Sequence, residues 1–124
     1  MATEEKQAAI ERNPGACPIV NSVYAVGEQY RLLVVYNLLD GERRFNDLKR
    51  AMGASSRTLS QALDALQDEG VVRRRSEEAD PIAVYYGLTE KGEALESVFE
   101  ELAAWDEQFG DSERPDAEAV LADD

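Results

Sequence analysis

The chain has 124 residues, of which 44% are hydrophobic, and it carries a formal net charge of -13 with no histidine and one cysteine. This length suits one domain with a modest core, and the longest apolar run, residues 32–39, is too short to cross a bilayer. Because histidine is the commonest general base and transition-metal ligand, its absence argues against enzymes and metal proteins, and we expect no catalytic residue, metal or cofactor.

The N-terminal segment is charged and lacks the apolar stretch of a secretory signal. We predict a flexible arm over residues 1–16, followed by one domain over residues 17–109. A single cysteine cannot form an intrachain disulfide, which agrees with a cytoplasmic protein that has no contact with membranes.

Two helices are predicted at the start of this domain. The first begins near Pro18, a residue suited to the first turn of a helix, and runs to about Val26 with Ile19 and Val23 on its apolar side. The second, residues 29–39, is apolar nearly all round, which is typical of a buried central helix.

Two further helices are predicted on either side of a tight turn at Gly53. The earlier one covers residues 44–52, and the later one begins at a cap formed by Ser55 or Ser56 and ends at Gly70. The apolar stripe of the later helix consists of Leu59, Ala62, Leu63 and Leu66.

The periodicity then changes from 3.6 to 2, which predicts a β-hairpin from residues 71–75 and 82–88. Thr89 caps a long amphipathic helix that ends near Phe109. Residues 110–124 are acidic and contain a proline, so we predict a disordered tail.

Two helices joined by a three-residue turn containing glycine indicate a helix-turn-helix, and a hairpin directly after them indicates a winged helix. The predicted fold is therefore mainly α with a small β-hairpin, in the order α-α-α-α-β-β-α. Winged helices also serve as protein-interaction modules that bind no DNA, and this alternative is favoured by the acidic composition.

The charge is unevenly distributed along the chain. Residues 43–75 contain eight basic and four acidic side chains, a net charge of +4, which leaves -17 for the remainder. This segregation indicates a surface that binds an anion, although a basic run is often only solvated surface. A strongly acidic remainder is also typical of adaptation to concentrated intracellular salt.

Four stretches in this order resemble the HxlR family of winged-helix transcription regulators: Cys17-Pro18, "LLDGERRFNDLKR", "TLSQALDALQDEGVV" and "LTEKG". The resemblance covers about residues 17–109. It implies a homodimer that binds double-stranded DNA near promoters, with the second helix of the motif in the major groove and the last helix in the dimer contact. The small-molecule effector is unknown.

The sequence departs from the usual family pattern at two places. Gly27-Glu28-Gln29-Tyr30 stands where relatives commonly have a stretch like Gly-Gly-Lys-Trp, so this stretch lacks the basic residue and carries the acidic Glu28. The wing tip carries Glu77, Glu78 and Asp80, which phosphate should repel, and we expect little insertion of the wing into the minor groove.

The exposed N-terminal end of the second motif helix is where such helices contact bases. Arg57 can bond guanine bidentately, Gln61 can pair with adenine and Thr58 can contact a thymine methyl. The predicted base contacts are Ser56, Arg57, Thr58, Ser60 and Gln61. The predicted phosphate contacts are Arg43, Arg44, Lys49, Arg50, Arg73 and Arg75.

Strand alternation should turn at least one of Arg73, Arg74 and Arg75 away from the other two. One or two of them are then free to face DNA. The alternative for this trio is ion pairing with Glu69 or Glu77.

The last helix has a wider apolar stripe than one small domain can bury, which predicts a two-fold dimer that also involves the first helix. The predicted interface contains Ile19, Val23, Leu95, Phe99, Leu102, Trp105 and Phe109. Cys17 is a candidate redox or electrophile sensor because it opens a helix, where the dipole favours a thiolate, and the resemblance implies the same role. Its alternative is an inert apolar residue, which the nearby acidic Glu11 favours.

Overall fold

The computed structural model describes residues 2–78 and 82–110, and within these ranges the chain forms helices around a small antiparallel sheet. The elements are α1 (Ala2–Arg12), a 3-10 turn (Pro14–Ala16), α2 (Cys17–Val26), α3 (Gln29–Leu38), β1 (Arg43–Arg44), α4 (Phe45–Met52), α5 (Ser56–Asp68), β2 (Val72–Glu77), β3 (Ala83–Leu88), α6 (Glu90–Glu93) and α7 (Leu95–Phe109). This is a mainly helical winged helix-turn-helix, as the sequence predicts.

The core forms around α3, which packs against α4, α5 and β3. The side chains that this packing buries are Val34, Val35, Leu38, Leu48, Leu59, Ala62, Leu63, Leu66, Val71, Val72 and Leu88. The predicted apolar stripe of α5 is completely contained in this set, which confirms the face of α5 that points inward. The opposite face of α5 is consequently left for solvent or a ligand.

The sheet has the strand order β1-β3-β2, with both pairs antiparallel. The predicted hairpin is confirmed, with Val72 opposite Leu88 and Glu77 opposite Ala83. The third strand, β1, was not predicted, because two residues cannot show a period of two and their strand geometry depends on pairing with β3. It shifts the start of α4 from the predicted residue 44 to Phe45.

The predicted helix boundaries follow local signals that the structure confirms. Ser55 accepts a hydrogen bond from the Thr58 amide as the N-cap of α5, and Thr89 accepts one from the Gly92 amide as the N-cap of α6. Gly70, just beyond the end of α5, has a φ of +75°, a conformation that favours glycine.

Two helical features differ from the prediction. The predicted arm over residues 1–16 contains α1, whose acidic first turn and basic last residue, Arg12, suit the helix dipole. The predicted last helix is divided at Ala94 into α6 and α7, two residues after Gly92. The proposed domain boundaries remain predictions, and the tail beyond Gly110 lies outside the described residues.

None of the helices in the described ranges is long and apolar enough to cross a membrane.

Candidate nucleic-acid interface

The turn between α4 and α5 places the two helices in helix-turn-helix geometry. Gly53 adopts a left-handed conformation with a φ of +66°, and its amide donates to the Lys49 carbonyl to end α4. Two residues later, the Ser55 hydroxyl caps α5 at 3.1 Å from the Thr58 nitrogen. The chain therefore reverses direction within three residues, which brings the start of α5 to the surface.

The N-terminal half of α5 presents a polar, exposed face. Ser56, Arg57, Ser60 and Gln61 are exposed, and their side chains form no hydrogen bond or ion pair with the described part of the chain. Thr58 differs, because it is half-buried and its hydroxyl accepts a hydrogen bond from Ser55 at 3.0 Å. Four of the five predicted base-contacting residues thus have free side chains on one accessible surface.

The predicted phosphate-contacting residues of β1 and α4 are not equivalent. Arg43 is half-buried and lies beyond the turn that follows α3. Its Nε donates to the carbonyl of Asn37, in α3, at 2.8 Å. Arg44 is exposed, donates to the Tyr85 hydroxyl through Nη2 at 3.2 Å, and lies 5.3 Å from the Tyr85 ring centroid. Arg43 therefore has a structural contact to give up before it could bind phosphate.

On α4, Arg50 is well exposed and pairs with Asp47 one turn earlier. Such exposed pairs are weak, so a phosphate can replace Asp47 at little cost. The half-buried Lys49 forms no side-chain hydrogen bond or ion pair with the described residues. Lys49 and Arg50 of α4 are thus more available to phosphate than Arg43 and Arg44 of β1.

The arginines of β2 divide between the two faces of the sheet, as the predicted alternation requires. Arg73 and Arg75 both bind Glu42, in the loop before β1, and Arg75 also pairs with Glu77. Arg75 holds both Glu42 oxygens, through Nη2 at 2.9 Å and Nε at 3.1 Å. Ion pairing, the predicted alternative, therefore holds for these two arginines, with Glu42 as a partner that was not anticipated.

Arg74 lies opposite Tyr86, on the other face of the sheet from Glu42. Its side chain is exposed and has no ion pair with the residues in the described ranges. Of the three consecutive arginines, Arg74 is the one whose charge has no partner among the described residues. It was absent from the predicted phosphate contacts.

A glycine in β3 makes room for the Glu42 cluster. A Cβ at Gly87 would lie 2.9 Å from Glu42 Cγ and 3.1 Å from Arg73 Nη2. A larger residue at this position would make the flexible Glu42 and Arg73 side chains shift by a few tenths of an ångström. Gly87 therefore gives the pair its present close contact.

The hydrogen bonds from Arg75 and Arg73 lower the pKa of Glu42 from 4.5 to about 2. Because the folded-state pKa is depressed, this stabilisation is complete above the unfolded-state value and disappears as the pH falls through about 2. Glu42→Gln should therefore unfold at lower urea concentration than wild type at neutral pH. The difference should close as the pH falls from 4.5 toward 2.

Urea denaturation followed by circular dichroism over this pH range measures the effect. Glu100→Gln, a change of the same charge on the exposed side of α7, is the control and should show no comparable difference. A constant difference between wild type and Glu42→Gln across the whole pH range would contradict the ion-pair origin.

Glu28, where the sequence departs from the usual family pattern, has a structural role. Glu28 is the N-cap of α3, and its carboxylate accepts a hydrogen bond from the Arg31 amide at 3.0 Å. Its side chain also lines a groove of about 190 Å³ together with Thr58 and Gln61 of α5. A negative charge thus borders the polar face of α5, where it disfavours a nearby phosphate.

Exposed apolar side chains also occur on α2 and α7. Five of the seven predicted dimer-interface residues are more than half exposed: Ile19 (67%), Val23 (62%), Leu102 (57%), Trp105 (61%) and Phe109 (64%). The other two, Leu95 and Phe99, are partly buried against the domain's own core. Exposed apolar side chains at this density on α2 and α7 are typical of a surface that a partner covers.

Cys17 is the first residue of α2 and is half-buried. Its thiol donates to the Ile10 carbonyl at 3.5 Å and lies 3.9 Å from the Asn13 carbonyl. The sulfur therefore lies between the end of α1 and the start of α2. Within the described ranges, no group of three or more acidic or cysteine side chains could hold a metal ion.

A family model and a known relative both match this chain, and both are of the helix-turn-helix type. Residues 25–114 match the model of the HxlR-like helix-turn-helix family. The HTH-type transcriptional regulator YodB of Bacillus subtilis (strain 168) is 35% identical over 95 residues, which are 75% of this chain and 85% of YodB.

Two solved structures have the same fold. The reduced form of YodB superposes with a TM-score of 0.70 at 34% identity and covers 81% of this chain and 98% of that one. The redox regulator HypR in its oxidized form gives a TM-score of 0.68 at 30% identity, over 77% of this chain and 99% of HypR.

Proposed function

The chain belongs to the HxlR-like helix-turn-helix family and is a DNA-binding transcriptional regulator, and from this premise we propose that it binds as a homodimer and recognises sequence through α5. A two-fold dimer presents two copies of α5 to successive turns of the major groove, so its operator is an inverted repeat. We place the protein in the cytoplasm with its DNA.

One observation carries the assignment of α5. Its buried stripe is held in the core while Arg57, Ser60 and Gln61 on the opposite side have free, exposed side chains. A bidentate arginine to guanine and a glutamine to adenine are side-chain contacts that discriminate base pairs in the major groove. Ser56 and Thr58 complete the proposed base-contacting set, Thr58 through its methyl group.

Phosphate contacts come chiefly from basic side chains that have weak internal contacts or none with the described residues. Lys49 and the weakly paired Arg50 meet this condition, and we add Arg74 of β2 to them. Arg43, Arg44, Arg73 and Arg75 can take part only by giving up internal hydrogen bonds. The contacts fix the register of the protein on the duplex without reading its sequence.

The dimer is proposed from the exposed apolar side chains of α2 and α7. Ile19, Val23 and Leu102 can be covered by the same residues of a second copy, since a two-fold interface uses one patch twice. Leu95 and Phe99 of α7 pack against the core of their own subunit. A shift of α7 at the interface would therefore change these core contacts.

Footprinting on the DNA upstream of the protein's own gene tests the proposal. The expected result is protection of two half-sites related by a two-fold axis, about one helical turn apart. Protection without symmetry would contradict the dimer, and no protection at any concentration that saturates nonspecific duplex would favour the protein-interaction alternative.

A sensing role for Cys17 is a second proposal, supported by its place at the start of α2 and by the similarity to HypR, a redox regulator. We expect diamide to join Cys17 of the two subunits in a disulfide, with diamide itself reduced to the hydrazine. A quinone should instead form a thioether at the same sulfur.

Mass spectrometry and nonreducing electrophoresis of the folded protein detect these products, with Cys17→Ser as the control. If the thiol reacts only after unfolding in urea, Cys17 is an inert residue and the sensing proposal is wrong.

A further inference from the structure

The segment between the wing and the last helix is bonded to the end of α5. The Lys91 ammonium donates to the Glu69 carbonyl at 2.6 Å, and the Thr89 hydroxyl donates to the Gly70 carbonyl at 2.6 Å. The Thr89 amide adds a hydrogen bond to the Val71 carbonyl at 3.0 Å. Three consecutive carbonyls at the end of α5 are therefore held by two residues of one short segment.

Close backbone contact strengthens this junction, which we define as Thr89, Lys91 and Gly92 with the carbonyls of residues 69–71. A Cβ at Gly92 would lie 2.3 Å from the Val71 oxygen, so only glycine allows α6 to approach this closely. The Gly92 amide also donates to the Thr89 hydroxyl at 3.1 Å, which orients that hydroxyl toward Gly70.

The junction continues almost directly into the exposed apolar helix. Only Ala94 separates α6 from α7, and Leu95 at the start of α7 packs against the core. At its other end the junction contacts the residues that directly follow α5. There the Val71 amide donates to the Leu66 carbonyl at 2.9 Å and closes the turn at the end of α5. The junction therefore connects the start of α7 to the end of α5 by direct hydrogen bonds.

We propose that this junction sets the position of α5 relative to α7, and so fixes the half-site spacing that the dimer accepts. Lys91 is a positioning residue that has no contact with DNA. The inference rests on the proposed function, because spacing has meaning only for two copies of α5 joined through α7. A lysine at the end of a helix also complements the negative end of the helix dipole.

Half-site spacing is a sensitive readout of this geometry. Adding one base pair moves a half-site by about 3.4 Å and turns it by about 35°, since about 10 base pairs make a helical turn of about 34 Å. A rigid dimer cannot place both copies of α5 in their half-sites after this shift and rotation. A dimer in which α5 is loosely joined to α7 can do so in part.

The experiment uses duplexes carrying the two-fold site that the wild-type protein selects from a random library, with the half-site spacing unchanged or altered by one base pair in either direction. Lys91→Met keeps the aliphatic stem and removes the donor. Lys91→Arg keeps a cationic donor, and Lys6→Met removes the same charge from α1. Circular dichroism confirms that each variant is folded.

Wild type, Lys91→Arg and Lys6→Met should lose about tenfold or more in affinity on the altered spacings, whereas Lys91→Met should lose less than about threefold. If Lys91→Met is unfolded, Thr89→Val, which removes the hydroxyl contacts, gives the same comparison. An unchanged spacing preference in a folded Lys91→Met, or in Thr89→Val where that replaces it, overturns the inference even if binding is weaker overall, as does a wild type indifferent to spacing. Failure to select any site would instead overturn the proposed function.

Discussion

Leu102→Asp is expected to convert the protein to a monomer and to abolish its specific DNA binding at concentrations where the wild type is saturated. Leu102 is 57% exposed and lies within the proposed interface on α7 with Trp105 and Phe109. An uncompensated charge buried by association costs about 3 to 5 kcal/mol, which is more than about a hundredfold in the dimer dissociation constant.

Sedimentation equilibrium at micromolar concentration measures the association, and a gel shift measures the binding. Ala104→Asp adds the same charge about 200° around the helix, since successive residues are about 100° apart, and should remain dimeric. A wild-type monomer, or a dimeric Leu102→Asp, would contradict the interface on α7.

Arg57→Ala is expected to weaken binding to the selected site by about 1 to 3 kcal/mol, with little effect on scrambled duplex. Arg57 is in the first turn of α5, opposite the buried Leu59 and Leu63, and its guanidinium has no partner in the described part of the chain. Losing a bidentate base contact removes discrimination, whereas nonspecific binding depends on phosphates alone.

Lys49→Ala is the matched comparison. Lys49 lies on α4, and its charge is proposed to bind the phosphate backbone without contacting a base. Its loss should weaken binding to both duplexes by a similar factor and reduce the salt dependence by about one released ion. Fluorescence anisotropy on the two duplexes at several salt concentrations gives both quantities.

Much of the helical framework could be predicted because its signals are local. The stripe of Leu59, Ala62, Leu63 and Leu66 has helical spacing, and the cap at Ser55 and the stop at Gly70 lie directly at the ends of that stripe. These features depend on neighbouring residues, so they can be seen without knowledge of what packs against them.

The missed elements depend on contacts between distant parts of the chain. Strand β1 exists because Arg43 and Arg44 pair with Tyr86 and Tyr85, about forty residues later. The break at Ala94 follows a close approach of Gly92 to the Val71 carbonyl, which no periodicity reveals. Of these elements only α1 has a local signal, its many good helix formers.

The candidate site shows the same division. The exposed polar face of α5 follows from its apolar stripe, and the division of the β2 arginines follows from strand alternation. That Glu42 would hold Arg73 and Arg75 could not be foreseen, because these residues are about thirty positions apart and meet only when β3 lies between their strands. Composition shows where charge is concentrated along a chain, but pairing decides which charges remain free.

The most direct measurement is the ratio of dissociation constants for scrambled duplex and selected site, compared among wild type, Arg57→Ala and Lys49→Ala. A sequence-specific regulator that reads bases through α5 should prefer its site by about a thousandfold or more. This preference should fall by about tenfold in Arg57→Ala and stay unchanged in Lys49→Ala. The same ratio in all three proteins would show that Arg57 reads no base, and a ratio near one in the wild type would contradict recognition of DNA sequence by this surface.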